Sequence, residues 1–289
     1  MSNNCDKQYL KLLRCVLEHG VTKSDRTGIG TKSVFSVLLR FSMRDGFPLV
    51  TTKKVFWRGV VEELLWFLRG DTSTKYLTDR DIHIWDDWAD ADGNIGRLYG
   101  AQWTNWKQYK YMVEEYCYVN TNIYEEVEPI NQIKNVIDEL KRNPDSRRLI
   151  VSAWNVAELD KMKLYPCHHS WQLYSKEVDG KRYLSLMYSM RSNDLFLGAP
   201  FNIASYALLL HMIAQVTNHV PDELVANIGD AHIYLNHIEQ VNEQLKREPY
   251  ELPVLELNKD IKNIFDFKYE DIKLLNYKSH TAIKAEIAV

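Results

Sequence analysis

The stretch LYSKEVDGKRYLSLMYSMRSNDLFLGAPFNIASYALLLHMIAQV, residues 173–216, passes from strand composition to helix composition, and that passage decides the fold. Tyr183 to Arg191 is rich in residues that favour a pleated, half-buried surface. Asp179-Gly180, set between Leu173-Tyr174 and Tyr183-Leu184, is a turn signal that makes this strand half of a hairpin. From Phe201 to Val216 the pattern is apolar almost all round, which predicts a helix enclosed by a sizeable protein. Working outward, Ser33 to Met43 and Arg148 to Trp154 add strands. Trp57, Val60, Val61, Leu64, Leu65 and Leu68 recur at helical spacing before Gly70, and so predict an amphipathic helix with its stop. Strands paired by hairpins and then covered by helices give an α+β fold.

Nothing in 289 residues marks a repeat, a low-complexity tract or a linker, so a single domain, 1–289, is expected. A tyrosine- and acid-rich segment at about 109–129 shows no period of 2 or 3.6 and predicts an irregular surface insertion. A net charge of -3 gives nucleic acid no global footprint and points to a small anion held by local arginines. Cys5, Cys15, Cys117 and Cys167 have neither disulfide-framework nor metal-like spacing, so no metal is expected and a reducing cytoplasm fits. The longest apolar run, Ile203 to Val216, is interrupted by Ser205, His211 and Gln215, and no secretory or membrane segment is expected.

Chemistry concentrates in a few places. Cys167 follows Pro166 and, as a nucleophile, needs a cationic setting. Arg191-Ser192-Asn193-Asp194 ends a predicted strand and supplies one, unless Arg191 and Asp194 merely pair with each other. Asn202 is either the N-cap of the buried helix or a carboxamide whose donor and acceptor edges match N3–H and O4 of uracil. His232 and Tyr234 share one face of an extended segment, although a lone histidine is often a core residue. Arg147-Arg148, on a loop, are either solvated or phosphate ligands. His168 beside Cys167 points to the opposite face, so activation of the thiol falls to arginine. The Asp25 to Thr31 turn lacks the context of a P-loop.

Together with Gly229-Asp230-Ala231-His232-Ile233-Tyr234-Leu235-Asn236-His237 and Pro200-Phe201-Asn202-Ile203-Ala204-Ser205-Tyr206-Ala207-Leu208, these residues resemble the thymidylate synthase family from about Asp6 to Val289. The resemblance implies a large mixed sheet packed by helices, a sheet-to-sheet homodimer, and reductive methylation of dUMP with 5,10-methylenetetrahydrofolate as co-substrate. It implies Cys167, Glu63, Tyr99, Arg191, Asp194 and Asn202 as the catalytic set, with Cys167 adding to C6 of dUMP. Arg26, Arg191 and Ser192 would hold phosphate, joined by Arg147 and Arg148 from the partner. Asn202 would read the uracil edge, and His232 and Tyr234 the deoxyribose. Lys53, Ile84, Trp85, Trp88, Asp194, Leu197, Gly198, Phe201 and Ala288 would meet the folate, and the tail from Ile283 to Val289 would close over the site. Periodicity alone does not separate Glu63 from Glu62; only the resemblance does.

Several positions depart from the family pattern: Tyr165, His169-Ser170-Trp171, Met190 and, in the tail, Glu286. Tyr165 and His169 bear on water access near Cys167, and water access separates a synthase from a dUMP hydroxymethylase. Retention of Trp85 and Leu164 favours the synthase, and Asn202 rather than Asp disfavours a dCMP enzyme. A non-catalytic nucleotide- or RNA-binding homologue is the remaining alternative, set against by Cys167, Glu63 and Tyr99 occurring together.

Overall fold

The computed structural model describes residues 3–116 and 119–288, with side chains placed for all of these except 112–123. Cys117, Tyr118 and the terminal Val289 therefore lie outside the described residues. The chain runs α1 (Asn4–His19), β1 (Val21–Lys23), β2 (Thr31–Ser42), α2 (Trp57–Arg69), α3 (Lys75–Thr78), α4 (Tyr99–Thr104), β3 (Trp106–Tyr116), β4 (Val119–Ile130) and α5 (Gln132–Arg142). It continues through β5 (Ile150–Ser152), β6 (His168–Val178), β7 (Lys181–Asp194), α6 (Gly198–Val216), β8 (Val220–Tyr234), α7 (Ile238–Gln244), β9 (Val254–Leu257) and β10 (Ile272–Leu275).

Six strands form one mixed sheet in the order β1-β2-β8-β7-β6-β5. The β6–β7 hairpin turns at Asp179-Gly180 as the sequence predicts, with Val178 opposite Lys181. The β7–β8 pair is parallel, because α6 carries the chain over the sheet between them. Along β7 buried residues alternate with half-open ones, so helices cover one face only. The open face presents Phe35, Leu38, Ile150 and Tyr174, all exposed. α6 lies on the covered face, with Leu208, Leu209, Leu210 and Ile213 fully buried. Each such side chain contributes about 1.5–3 kcal/mol of transfer free energy. This helix is long and apolar enough to cross a membrane, but 78% of that window is buried in the fold, which is the signature of a core helix.

Two expectations are corrected. The segment at 109–129 is not irregular: β3 and β4 form a two-stranded antiparallel ribbon paired from Trp106 opposite Ile130 to Tyr116 opposite Val119. Tyr109, Tyr111 and Tyr124 on it are exposed, so this ribbon has no buried stripe there to impose alternation. Asn202 does not cap α6, which begins four residues earlier, after Leu197. Pro200 falls in the first turn, where its missing N–H has no helical acceptor to lose, and so the helix runs through it.

Glycine sets the approach of α4 to α2. A Cβ on Gly100 would collide with the Phe67 carbonyl oxygen, so only glycine lets α4 come this close. Its neighbour Tyr99 starts α4 with φ 23, a conformation that side-chain-bearing residues rarely adopt. α2 itself stops where predicted, Gly70 taking the left-handed conformation at φ 71 and donating its N–H to the Phe67 carbonyl.

Candidate functional site

Cys167 stands just before β6 and is partly open, whereas His168 turns inward and is buried. The imidazole of His168 lies flat against the Tyr99 ring at 3.8 Å, and its Nδ1 shares a 2.7 Å hydrogen bond with the Tyr206 hydroxyl. Burial lowers its pKa to about 3 and keeps it neutral. A Cys-His dyad is thereby excluded by orientation as well as by charge. Tyr206 does not stand out as a site residue in the sequence, since it sits in a helix that is apolar almost all round.

Tyr99 accepts a 2.9 Å hydrogen bond from the Cys167 amide, which ties the start of α4 to Cys167. Arg191 donates through Nε to the Pro166 carbonyl (3.0 Å) and through Nη2 to the Tyr165 carbonyl (2.8 Å), and Nη2 lies 3.9 Å from the Cys167 sulfur. It does not pair with Asp194, whose Oδ1 accepts from the Phe196 and Leu197 amides at 2.8 and 3.1 Å. The thiol pKa is nevertheless raised: burial pushes it up by more than Arg191, the Tyr99 hydroxyl and Arg26 pull it down. The cations expected beside Cys167 are present and pull its pKa down, but burial, joined by the Asp194 charge, outweighs them.

On α2 the two glutamates part company. Glu62 is buried, receiving the Tyr76 hydroxyl at 2.8 Å and standing 3.4 Å from Arg80 Nε. Glu63 is half-buried on a different side of the helix and accepts one 2.8 Å bond, from the Trp85 indole. Burial raises its pKa to about 7, and the Trp85 bond offsets this only in part. Trp85 packs edge-on against Tyr99 (5.9 Å) and against Trp88 (5.5 Å), so Glu63, Trp85, Trp88, Tyr99 and Cys167 are joined in one chain of contacts.

The other wall is built by the β7–α6 junction and the end of β8. Asn193 Nδ2 donates weakly to Asn202 Oδ1 at 3.4 Å, while the side-chain carbonyl of Asn193 is buried without a protein partner. An added Cβ on Gly198 would sit 3.5 Å from Asn202 Oδ1 and 3.8 Å from Asp194 Cβ, so these three residues share one small space. Lys53 is buried over the Phe196 ring and donates to the Phe196 carbonyl; burial lowers its pKa to about 7 against the pull of Asp194. Ser192 lies opposite Asp230 in the β7–β8 ladder. His232 is buried, with Nδ1 3.3 Å from Asp230 and Nε2 without a protein partner, and Tyr234 is edge-on to it at 5.1 Å. Tyr234 and Cys167 both feel the charge of Arg26, which is itself exposed on the loop between β1 and β2.

Ile84, Leu197 and Phe201 are partly buried against the core at the rim. Trp88 keeps its indole N–H buried and unpartnered. Arg147 and Arg148 are exposed between α5 and the edge strand β5, and no described interaction joins them to the Cys167 cluster. Ala288, partly buried in the C-terminal tail, likewise has no described interaction with that cluster. Tyr165 is exposed, its ring edge-on to Trp154 at 6.3 Å, and His169 is half-buried with Nδ1 3.0 Å from the Ser170 hydroxyl.

A thiol beside uncompensated arginine, a titratable glutamate within an aromatic wall, and a carboxamide beside an orphaned acceptor can bind an anionic heterocycle and add a sulfur nucleophile to it. The thymidylate synthase family model matches residues 7–289, nearly the whole chain, and the protein belongs to that family.

Proposed function

We propose that this chain converts dUMP to dTMP, taking a one-carbon unit and a hydride from 5,10-methylenetetrahydrofolate and releasing dihydrofolate. The observation that carries the assignment is the state of Arg191. Its guanidinium donates to two neutral carbonyls and, at 3.9 Å, toward the Cys167 sulfur, and among the described residues neither it nor Arg26 forms a salt bridge, so neither charge is neutralised by a carboxylate and both are open to an anion.

The phosphate of dUMP binds Arg26, Arg191 and Ser192, with Arg147 and Arg148 completing the site from a second subunit. The His232 Nε2 and the Tyr234 hydroxyl hold the deoxyribose 3'-hydroxyl, which gives the orphaned Nε2 its partner. Asn202 pairs with N3–H and O4 of uracil. Cys167 passes its proton to solvent water as the substrate settles, and its thiolate adds to C6; the C5–C6 π pair moves onto O4 as an enolate, whose C5 is then nucleophilic. Glu63, with a pKa of about 7, relays protons to the ring through ordered water, and the Tyr99 hydroxyl stands at the C5 proton. The folate fits the aromatic wall: Trp85 and Trp88 flank it, the unpartnered Trp88 N–H and Asp194 supply polar contacts, and Lys53, Ile84, Leu197, Gly198, Phe201 and Ala288 border it. The close packing of Trp85, Trp88 and Tyr99 favours hydride over water as the group that finishes the reaction, because it excludes solvent.

The dimer forms through the open sheet face. Phe35 is 84% exposed and Tyr174 64%, and leaving them in water forfeits about 25 cal/mol per Å² of apolar surface. Sedimentation at micromolar concentration is expected to give twice the chain mass, and Phe35→Asp to give the monomer with loss of activity. The reaction is tested by incubating the protein with dUMP and methylenetetrahydrofolate, identifying the product by mass and following dihydrofolate by absorbance. Hydroxymethyl-dUMP without dihydrofolate overturns the synthase; no product at all leaves a nucleotide-binding homologue.

A further inference from the structure

The C-terminal strap, residues 277–288, is fastened at two places. At its root the Tyr277 hydroxyl donates to the Val50 carbonyl (2.8 Å) and accepts from the Val55 amide (3.1 Å), the His280 amide donates to the Thr51 carbonyl (2.9 Å), and Arg247 Nη1 reaches the Thr281 carbonyl (2.6 Å). Beyond Thr281, Ile283 and Ala285 turn toward the core at alternate positions, while Ala282 and Lys284 are exposed. Near the end one side chain among the described residues hydrogen-bonds to the strap: the Nε2 of His237 lies 2.7 Å from the Glu286 carbonyl oxygen. A carbonyl only accepts, so Nε2 carries the proton and donates it.

His237 is fully buried, and its ring is fixed from both sides of the site. It packs against Phe196 at 5.5 Å, the residue whose carbonyl receives Lys53 and whose amide binds Asp194. It is edge-on to Tyr234 at 5.7 Å. The 3-10 turn Leu235–His237 that carries it continues directly from the last residue of β8. One imidazole therefore touches the nucleotide wall, the Asp194 wall and the strap. Its other nitrogen, Nδ1, is buried without a partner among the described residues, so there the ring is held in place through Nε2 and packing.

We propose that His237 is a positioning residue, a latch that fastens the strap over the site by donating Nε2–H to the Glu286 carbonyl. The latch itself is independent of the reaction; that it serves folate binding rests on the proposed function. Two variants separate the bond from the ring: His237→Phe keeps an aromatic ring without the donor, and His237→Gln restores an N–H near the position of Nε2. Amide hydrogen exchange on the peptide covering residues 282–288 is read first, since it needs no substrate. Loss of one such bond is expected to speed exchange there by about tenfold in His237→Phe, with near-recovery in His237→Gln. In the active protein the folate KM is expected to rise several-fold in His237→Phe, with dUMP affinity held within about twofold. Wild-type exchange of the strap in a folded His237→Phe overturns the latch. Should the Phe variant not fold, a chain ending at Ala285 reads the same bond from the other side: ¹⁵N-histidine spectra are expected to show the His237 Nε2–H exchanging faster after truncation, and an unchanged His237 signal overturns the proposal. A loosened strap in a protein that makes no dTMP sinks the proposed function and leaves the latch standing.

Discussion

Two buried polar regions of this molecule are built on opposite plans. Around Asp6, at the start of α1, the carboxylate accepts from Asn3 Nδ2 (2.6 Å), the Thr51 amide (2.9 Å) and hydroxyl (2.8 Å), and the Thr52 amide (3.2 Å) and hydroxyl (2.8 Å). Asn3 in turn donates to the Tyr250 carbonyl, so three distant parts of the chain meet in a network that satisfies both oxygens of the Asp6 carboxylate from within the protein. The Cys167 region is left incomplete: among the described residues His232 Nε2, Trp88 Nε1, the Asn193 side-chain carbonyl and one Asp25 oxygen are buried without protein partners, and Arg191 donates to two neutral carbonyls and, at 3.9 Å, toward the Cys167 sulfur, with no carboxylate partner. A saturated polar cluster spends its interactions on stability, whereas an unsaturated one reserves them for a ligand.

The sharpest break between the two regions comes from removing one group in each. Cys167→Ser is expected to lower kcat by about 10⁴-fold or more while leaving the thermal midpoint nearly unchanged, because the proposed reaction loses its nucleophile and the core loses nothing. Full turnover by that variant refutes covalent catalysis. Asp6→Ala should do the reverse. It strands two amides, two hydroxyls and a carboxamide, a loss of about 3–5 kcal/mol, and calorimetry should show the midpoint fall by roughly 5–15 °C with kcat at low temperature kept. If Asp6→Ala instead loses activity at unchanged stability, the contrast fails.

How much of this is legible in the sequence follows the same line. The β6–β7 hairpin and α6 are readable because each has one dominant pattern, a turn dipeptide or a run that is apolar almost all round. The β3–β4 ribbon is not, since the tyrosines described on it are exposed and leave no period to detect. Within the site, Cys167 and Arg191 stand out by residue type and setting, but the direction of the net shift on the thiol does not, because burial is a tertiary property. The Asp6 network is invisible as well: Asp6, Thr51 and Tyr250 are ordinary residues until the fold brings them together. Glu62 and Glu63 show the limit most plainly, being adjacent, chemically identical and separable only by what each side chain meets.

Those two glutamates repeat the contrast on one helix. Glu62 is satisfied by Tyr76 and Arg80, and Glu63 holds a single bond to Trp85. Glu63→Gln is expected to cost about 10²-fold or more in kcat, and Glu62→Gln to act mainly on stability, by about 1–3 kcal/mol. The pH dependence sharpens this. The Glu63 pKa rises from 4.5 to about 7 on folding, so burial disfavours the carboxylate. Below about pH 4.5 both states are protonated and nothing is lost; as pH rises toward 7 the unfolded chain ionises first and stability falls, levelling off above 7 at about 3 kcal/mol. Glu63→Gln cannot ionise, so denaturant titrations should show its stability gaining on the wild type between pH 4.5 and 7 and running parallel above. A gap that does not change over that window places the carboxyl in water.

The smallest effect tests the orphaned nitrogen itself. In a saturated cluster, deleting a partner strands others; at His232 the Nε2 has no protein partner to strand, and only Nδ1, 3.3 Å from Asp230, is lost. His232→Phe is therefore expected to weaken dUMP binding by about tenfold, one hydrogen bond's worth, while unfolding shifts by no more than about 1 kcal/mol. Isothermal titration and denaturant unfolding on the same preparation separate the two. Removing the 3'-hydroxyl from the nucleotide should produce the same loss in the wild type and none further in the variant, a double-mutant cycle in which the ligand supplies one of the mutations. Additive losses mean that His232 is a core histidine after all, and that its unpartnered nitrogen reserves nothing for substrate.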